Sequence, residues 1–135
     1  MADSQQNAQL DVPDFLQYSH DHVWLDDSVT PATLGITEFA ANKMGNIVFV
    51  DLPEVGTRVE AGDEIVQIES AKAVEPMISP VAGVVRYVNT ETEDDGAVIN
   101  DDPYGEGWIV KIELDDDEPD MLTAHEYSQF IAQQK

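Results

Sequence analysis

The chain holds four lysines in 135 residues, and Lys72 stands in Val66-Gln67-Ile68-Glu69-Ser70-Ala71-Lys72-Ala73-Val74-Glu75, where two β-prone runs meet. An ε-amine on a flexible four-carbon stem is a nucleophile toward activated acyl groups. At a reversal of two strands, with Ala71 and Ala73 beside it, that amine projects clear of the body of the fold. The pattern makes Lys72 a candidate attachment point rather than an ordinary solvated turn residue.

Other chemistry is scarce. Three histidines and no cysteine do not assemble a nucleophile with a base beside it, and no glycine-rich phosphate loop is present. Catalysis by the chain's own side chains is therefore not expected. His20 and His22 form a His-x-His pair, but zinc would need further ligands from His125 and carboxylates, so they read as loop imidazoles. Glu91, Glu93, Asp95, Gly96 and Asp102 fall at EF-hand-like offsets. Glutamate replaces the usual first aspartate there and no flanking helices are predicted, so the segment reads as a solvated loop. Asp115-Asp116-Asp117 reads as an exposed acidic face.

The elements that must position these residues are mostly short strands. Val23-Trp24-Leu25 and Ala32 to Ile36, joined by a polar turn at Asp26-Asp27-Ser28, predict a hairpin. Thr37 predicts an N-cap for a helix over Glu38 to Met44, with Gly45 as its stop. Val48-Phe49-Val50 reads as a buried strand ended by Leu52-Pro53, and Gly56 to Asp63 as a turn-rich connection. Strands are predicted at Glu64 to Glu69, Val74 to Ile78, Gly83 to Val88 and Trp108 to Leu114. In the last, alternation aims Trp108, Val110, Ile112 and Leu114 at the core and Lys111 and Glu113 at water. Thr123-Ala124-His125-Glu126 is a capping box opening a C-terminal helix whose Tyr127, Phe130 and Ile131 share one face and dock on the body. Together these predict one mostly β domain, a sandwich or barrel with two small helices.

Composition bounds the partners. Six basic residues against 28 acidic ones give a net charge of −22, which repels phosphate backbones and anionic headgroups, so neither nucleic acid nor membrane is an expected partner. Such uncompensated charge predicts self-repulsion at low salt, and a saline host is a hypothesis it motivates. The first thirty residues hold no arginine and no apolar run after a basic start, which sets a cytoplasmic expectation.

Three segments carry a family likeness: Glu69-Ser70-Ala71-Lys72-Ala73, Ser79-Pro80-Val81-Ala82-Gly83 and Asp102-Pro103-Tyr104-Gly105-Glu106-Gly107-Trp108. With Gly35-Ile36-Thr37-Glu38 and Leu52-Pro53-Glu54-Val55-Gly56, the chain resembles the lipoyl-carrying H protein of the glycine cleavage system over roughly residues 18 to 133. The resemblance implies a flattened antiparallel β-barrel/sandwich hybrid of the lipoyl/biotinyl-carrier type, with a short internal helix and a C-terminal helix. Residues 1–14 would be a flexible tail and 15–135 the lipoyl-carrier domain of a monomer. Lipoate would be amide-linked to Lys72 within the attachment hairpin of Glu69, Ser70, Ala71 and Ala73. Glu69 and Ser70 would help a lipoate-attaching enzyme recognise it, and the Asp102–Trp108 loop would lie beside the arm's resting cleft. Alanine on both sides of Lys72, where biotin carriers usually place methionine, favours lipoate.

The chemistry would then belong to the cofactor, with the chain as a non-catalytic carrier. Glycine decarboxylase would load an aminomethyl group, an aminomethyltransferase would take its one-carbon unit, and dihydrolipoyl dehydrogenase would reoxidise the dithiol. A tether raises the effective concentration at each partner, and a chain without cysteine cannot exchange with its own dithiol. Three features stand against the family pattern. His22-Val23-Trp24 replaces His-Glu-Trp, so valine cannot accept a hydrogen bond from a loaded arm's amine, and Lys43 is expected to face the same cleft. Glu75 also stands beside Pro76 where the family has small or polar residues. These leave open a related lipoate carrier serving another pathway, such as sulfur oxidation, or a non-lipoylated interaction module.

Overall fold

The computed structural model of the chain describes residues 11–115 and 121–133. Strands with one buried face assemble into two antiparallel sheets. The larger runs β1 (Gln17–Tyr18), β2 (Val23–Asp26), β3 (Ala32–Ile36), β9 (Val110–Leu114), β8 (Gly83–Val88) and β5 (Arg58–Val59) in spatial order. The smaller runs β4 (Ile47–Asp51), β6 (Glu64–Ser70) and β7 (Val74–Ile78). Leu25, Leu34, Val85, Val110 and Ile112 from the first sheet share one core with Val50, Val66, Ile68 and Met77 from the second. The two sheets do not close into one barrel, so the expected hybrid is two antiparallel sheets around a common core.

Helix α1 (Glu38–Met44) starts where Thr37 accepts a hydrogen bond from the Ala40 N–H and stops where the Gly45 N–H donates to Ala41 O at 3.1 Å. Helices α2 (Glu91–Asp94) and α3 (Ala97–Asp101) follow β8, and α4 (Ala124–Ala132) ends the described chain. The capping box of α4 is complete, with the Thr123 N–H donating to Glu126 Oε1 at 2.9 Å and the Glu126 N–H to Thr123 Oγ1 at 3.1 Å. It docks through Tyr127, fully buried and stacked on Tyr18 with ring centroids 4.7 Å apart. Among the described residues, no helix is long and apolar enough to cross a membrane.

Four local expectations change. The segment Glu91–Asp102 is not a solvated loop, because Thr92 and Ile99 are fully buried and draw it into α2 and α3. The Gly56–Asp63 connection contains β5, whose Arg58 and Val59 pair with Val84 and Gly83. In β4 only Ile47 and Val50 are buried, while Val48 and Phe49 face outward beside a register shift against β6. At the start of β9 it is Ile109 that is fully buried, its N–H held by Leu34 O, whereas Trp108 and Leu114 are only partly covered.

Part of the predicted tail, residues 1–10, lies outside the described residues. Asp11 is tied at both backbone groups: its N–H donates to Glu38 Oε1 and its carbonyl accepts from the Tyr104 hydroxyl. Beneath them Trp24 donates from its indole to Pro103 O at 3.0 Å. A Cβ on Gly35 would sit 2.8 Å from that indole, so glycine is what lets β3 pass under the ring.

Candidate functional site

The β6–β7 hairpin places Lys72 at its tip, exposed, with Ala71 and Ala73 exposed on either side. Ser70 makes the reversal. Its N–H donates to Ala73 O at 2.8 Å, and its hydroxyl oxygen accepts from the N–H groups of Lys72 (3.2 Å) and Ala73 (3.1 Å). A serine that satisfies turn amides in this way holds a bend that alanine could not. The hydroxyl expected to serve recognition is thus committed to the backbone of the turn. Glu69, in contrast, is free to face outward, exposed between Phe49 and Val74 on the neighbouring strands.

A second loop braces the tip from below. The Ala71 N–H donates to Asn46 O at 3.0 Å, just past the end of α1. Asn100 of α3 clamps that loop twice, donating from Nδ2 to Gly45 O and accepting at Oδ1 from the Ile47 N–H, both at 2.9 Å. Gly45 adopts φ +77°, and Lys72 Cε passes 3.1 Å from where a Cβ would sit. Glycine therefore both ends α1 and leaves room for the lysine stem. Sequence reasoning missed Asn100 and Asn46, since neither carries a local signal. Gly45 was legible only as a helix stop.

The charges around the tip are informative. Arg58 pairs with Glu60 and Asp115, and Arg86 pairs with Glu113. Lys43 lies 5.5 Å from the Phe39 ring centroid and Lys111 5.0 Å from that of Trp108. Among the described residues, Lys72 is the cation that neither a carboxylate nor a ring holds. Acylating it would neutralise a charge on which no ion pair or ring contact among the described residues depends.

The histidine pair does lie in the turn between β1 and β2, with His20 exposed, but His22 is engaged there and not simply solvated. His22, at φ +67°, packs against Phe39, Tyr127 and Phe130, and its Nδ1 lies 2.8 Å from the Tyr127 hydroxyl. That hydroxyl is also 2.7 Å from Thr37 Oγ1. Burial holds the His22 pKa below the usual value of 6.5, and the Lys43 ammonium lowers it further. Burial also pushes the Tyr127 phenol up to about 12. His20 meets Phe130 edge-on at 4.8 Å. Among the described residues, no three of His, Asp and Glu gather where they would hold a metal ion. Val23, the position where the family glutamate is missing, is fully buried and registers against Ile36 on β3. A carboxylate there would need a partner inside the core.

A two-sheet β domain that thrusts an exposed lysine out on a braced hairpin is a fold of the lipoyl-carrier type. Comparison with known proteins narrows this. The family model described as Glycine cleavage H-protein matches residues 16–134. The glycine cleavage system H protein of Bifidobacterium longum is 60% identical over 134 residues, spanning 97% of this chain and 98% of its own. The probable glycine cleavage system H protein of Natronomonas pharaonis is 45% identical over 124 residues, spanning 91% and 98%. The crystal structure of a glycine cleavage system H protein from Mycobacterium marinum superposes with a TM-score of 0.83 at 38% identity, covering 90% of this chain and 99% of that one. The chain belongs to the glycine cleavage H-protein family.

Proposed function

We propose that Lys72 carries lipoate in amide linkage and serves as the swinging arm of a glycine cleavage system. The observation that supports this best is the tip itself: in a member of this family, Lys72 is exposed, flanked by alanines and held by no charge partner among the described residues. In the attachment step the neutral ε-amine attacks the carbonyl carbon of an activated acyl group. A C–N bond forms, the leaving group departs with its electron pair, and the nitrogen loses a proton.

Once attached, the group supplies the sulfur chemistry by which the aminomethyl unit of glycine passes from glycine decarboxylase to aminomethyltransferase, with dihydrolipoyl dehydrogenase restoring the disulfide. The chain's own contribution is mechanical. Ser70 holds the bend, the Gly45–Ile47 loop and Asn100 keep it from folding back, and the tether raises the local concentration of the reactive end at each partner. Because Val23 lies in the core, retention of a loaded arm does not draw on a carboxylate at that position.

Intact mass and peptide mapping of native protein test the attachment: a lipoyl increment on Lys72 is expected, and an unmodified Lys72 in an organism with active lipoylation would refute it. Incubating the lipoylated chain with glycine and glycine decarboxylase should then yield protein-bound methylamine. A lipoylated chain that binds none would belong to a different lipoate-dependent pathway.

A further inference from the structure

Beside the tip, the smaller sheet exposes apolar side chains that packing does not explain. The register shift between Ile47 and Phe49 sets an extra residue into β4, so Val48 (54% exposed) and Phe49 (38% exposed) both face outward where strict alternation would hide one. Phe49 lies directly opposite Glu69, and Glu69 directly opposite Val74, which is 55% exposed. Residues directly opposite one another share a face of a sheet. Phe49, Glu69 and Val74 therefore form one row across the outer face, and Asp51, Gln67 and Pro76 form the next, all of them exposed. Of the seven exposed large hydrophobics among the described residues, Val48, Phe49 and Val74 belong to the two strands flanking β6, the strand that leads to the acceptor lysine. Apolar groups kept in water beside a reactive group mark a contact surface.

Building on the lipoyl-lysine reading of Lys72, we propose that the row of Phe49, Glu69 and Val74, together with the exposed Val48 beside it, is the docking surface for the enzyme that acylates Lys72. The partner would present apolar groups to Phe49 and Val74, with a basic group between them for Glu69 and another for Asp51 in the next row. The acylating enzyme is singled out by reach. For it the reactive atom is the ε-amine itself, on a four-carbon stem, so its active site must close over the hairpin and the strands beside it. Enzymes that act on the far end of a loaded arm work at the full length of the tether and need not touch the row. Charge agrees: a chain of net −22 is drawn to cationic surfaces.

The test compares the parent with V48T/V74T, which keeps β-branched residues in both strands, and with V55T, an exposed valine in the loop before β5. Each is acylated by a lipoate-attaching enzyme supplied with lipoate and ATP, and followed by intact mass and by the thermal midpoint. V48T/V74T should lose about five- to tenfold in kcat/KM, mainly through KM, while V55T matches the parent. Once lipoylated, V48T/V74T should be turned over by dihydrolipoyl dehydrogenase as the parent is. Folded V48T/V74T acylated at the parental rate would overturn the docking surface and leave the lipoyl reading intact. A parent that takes no lipoyl group on Lys72 would overturn both. An equal loss with the dehydrogenase would assign the row to every partner, and a parent that dimerises in sedimentation while V48T/V74T does not would assign it to a second copy. Either result refutes the proposal.

Discussion

Lys72 is useful because so little is done to it. Two alanines, a glycine under its stem and a serine that closes its turn leave the amine at the surface with no competing partner among the described residues. Lys72→Arg should keep the fold and its thermal midpoint yet show no lipoyl increment by mass, because a guanidinium is not acylated under these conditions. Ser70→Ala removes the acceptor for two turn amides, at roughly 0.5–1.5 kcal/mol for each hydrogen bond where water does not replace it. The expected result is faster amide hydrogen exchange at Lys72 and Ala73 with little change in the global midpoint. Asn100→Ala acts deeper, since it strands the Gly45 carbonyl and the Ile47 amide in a half-buried loop. It should lower unfolding stability in urea by about 1–3 kcal/mol.

Helix α4 illustrates how an element depends on one polar contact inside an apolar seam. Its capping box sets where it begins, and the Tyr127 ring stacked on Tyr18 sets where it docks. The Tyr127 hydroxyl sits between Thr37 Oγ1 and His22 Nδ1, an arrangement that suits a neutral imidazole accepting at Nδ1. Lys43 from α1 and His20 oppose a proton on His22, while Asp21 favours it, and burial is the largest influence against it. With its folded pKa below the ordinary 6.5, His22 binds fewer protons in the native state than in the unfolded chain. Its contribution is therefore fully present above about pH 6.5 and is lost as the pH falls through that value toward the folded pKa. Thermal midpoints taken from pH 7.5 down to pH 5 should fall more steeply for the parent than for His22→Asn. Asparagine tolerates the positive φ and can still accept from Tyr127, but does not titrate. Equal slopes would show that His22 is not the group responsible.

For the molecule as a whole, charge is the dominant fact. Arg58 and Arg86 are held in exposed pairs, and pairing with Arg58 keeps the Asp115 carboxyl below its usual pKa, but such pairs contribute little in water. Most of the 28 carboxylates have no cation to answer them. Raising salt from low ionic strength to molar should raise the thermal midpoint by screening this repulsion. The same salt should slow association with cationic partner surfaces, and a midpoint and association rates that both ignore ionic strength would show that net charge governs neither.

The features readable along the chain were those whose cause spans a few residues. Short β-prone runs bounded by turn residues placed β2, β3, β6 and β7, and period-two alternation placed β8. Thr37 and Gly45 bounded α1, Thr123 and Glu126 opened α4, and two alanines at a strand reversal marked Lys72. What depended on long-range pairing was not readable. Asn100 and Gly45 are 55 residues apart and meet only because α3 packs against α1 and β4. The bulge that exposes Val48 and Phe49 exists only in the pairing of β4 with β6, and His22 becomes a half-buried partner of the Tyr127 hydroxyl only when α4 lays Tyr127 over it. Local preference is set by neighbours on the backbone, whereas exposure, pKa and register are set by whatever the completed sheets and docked helices bring alongside.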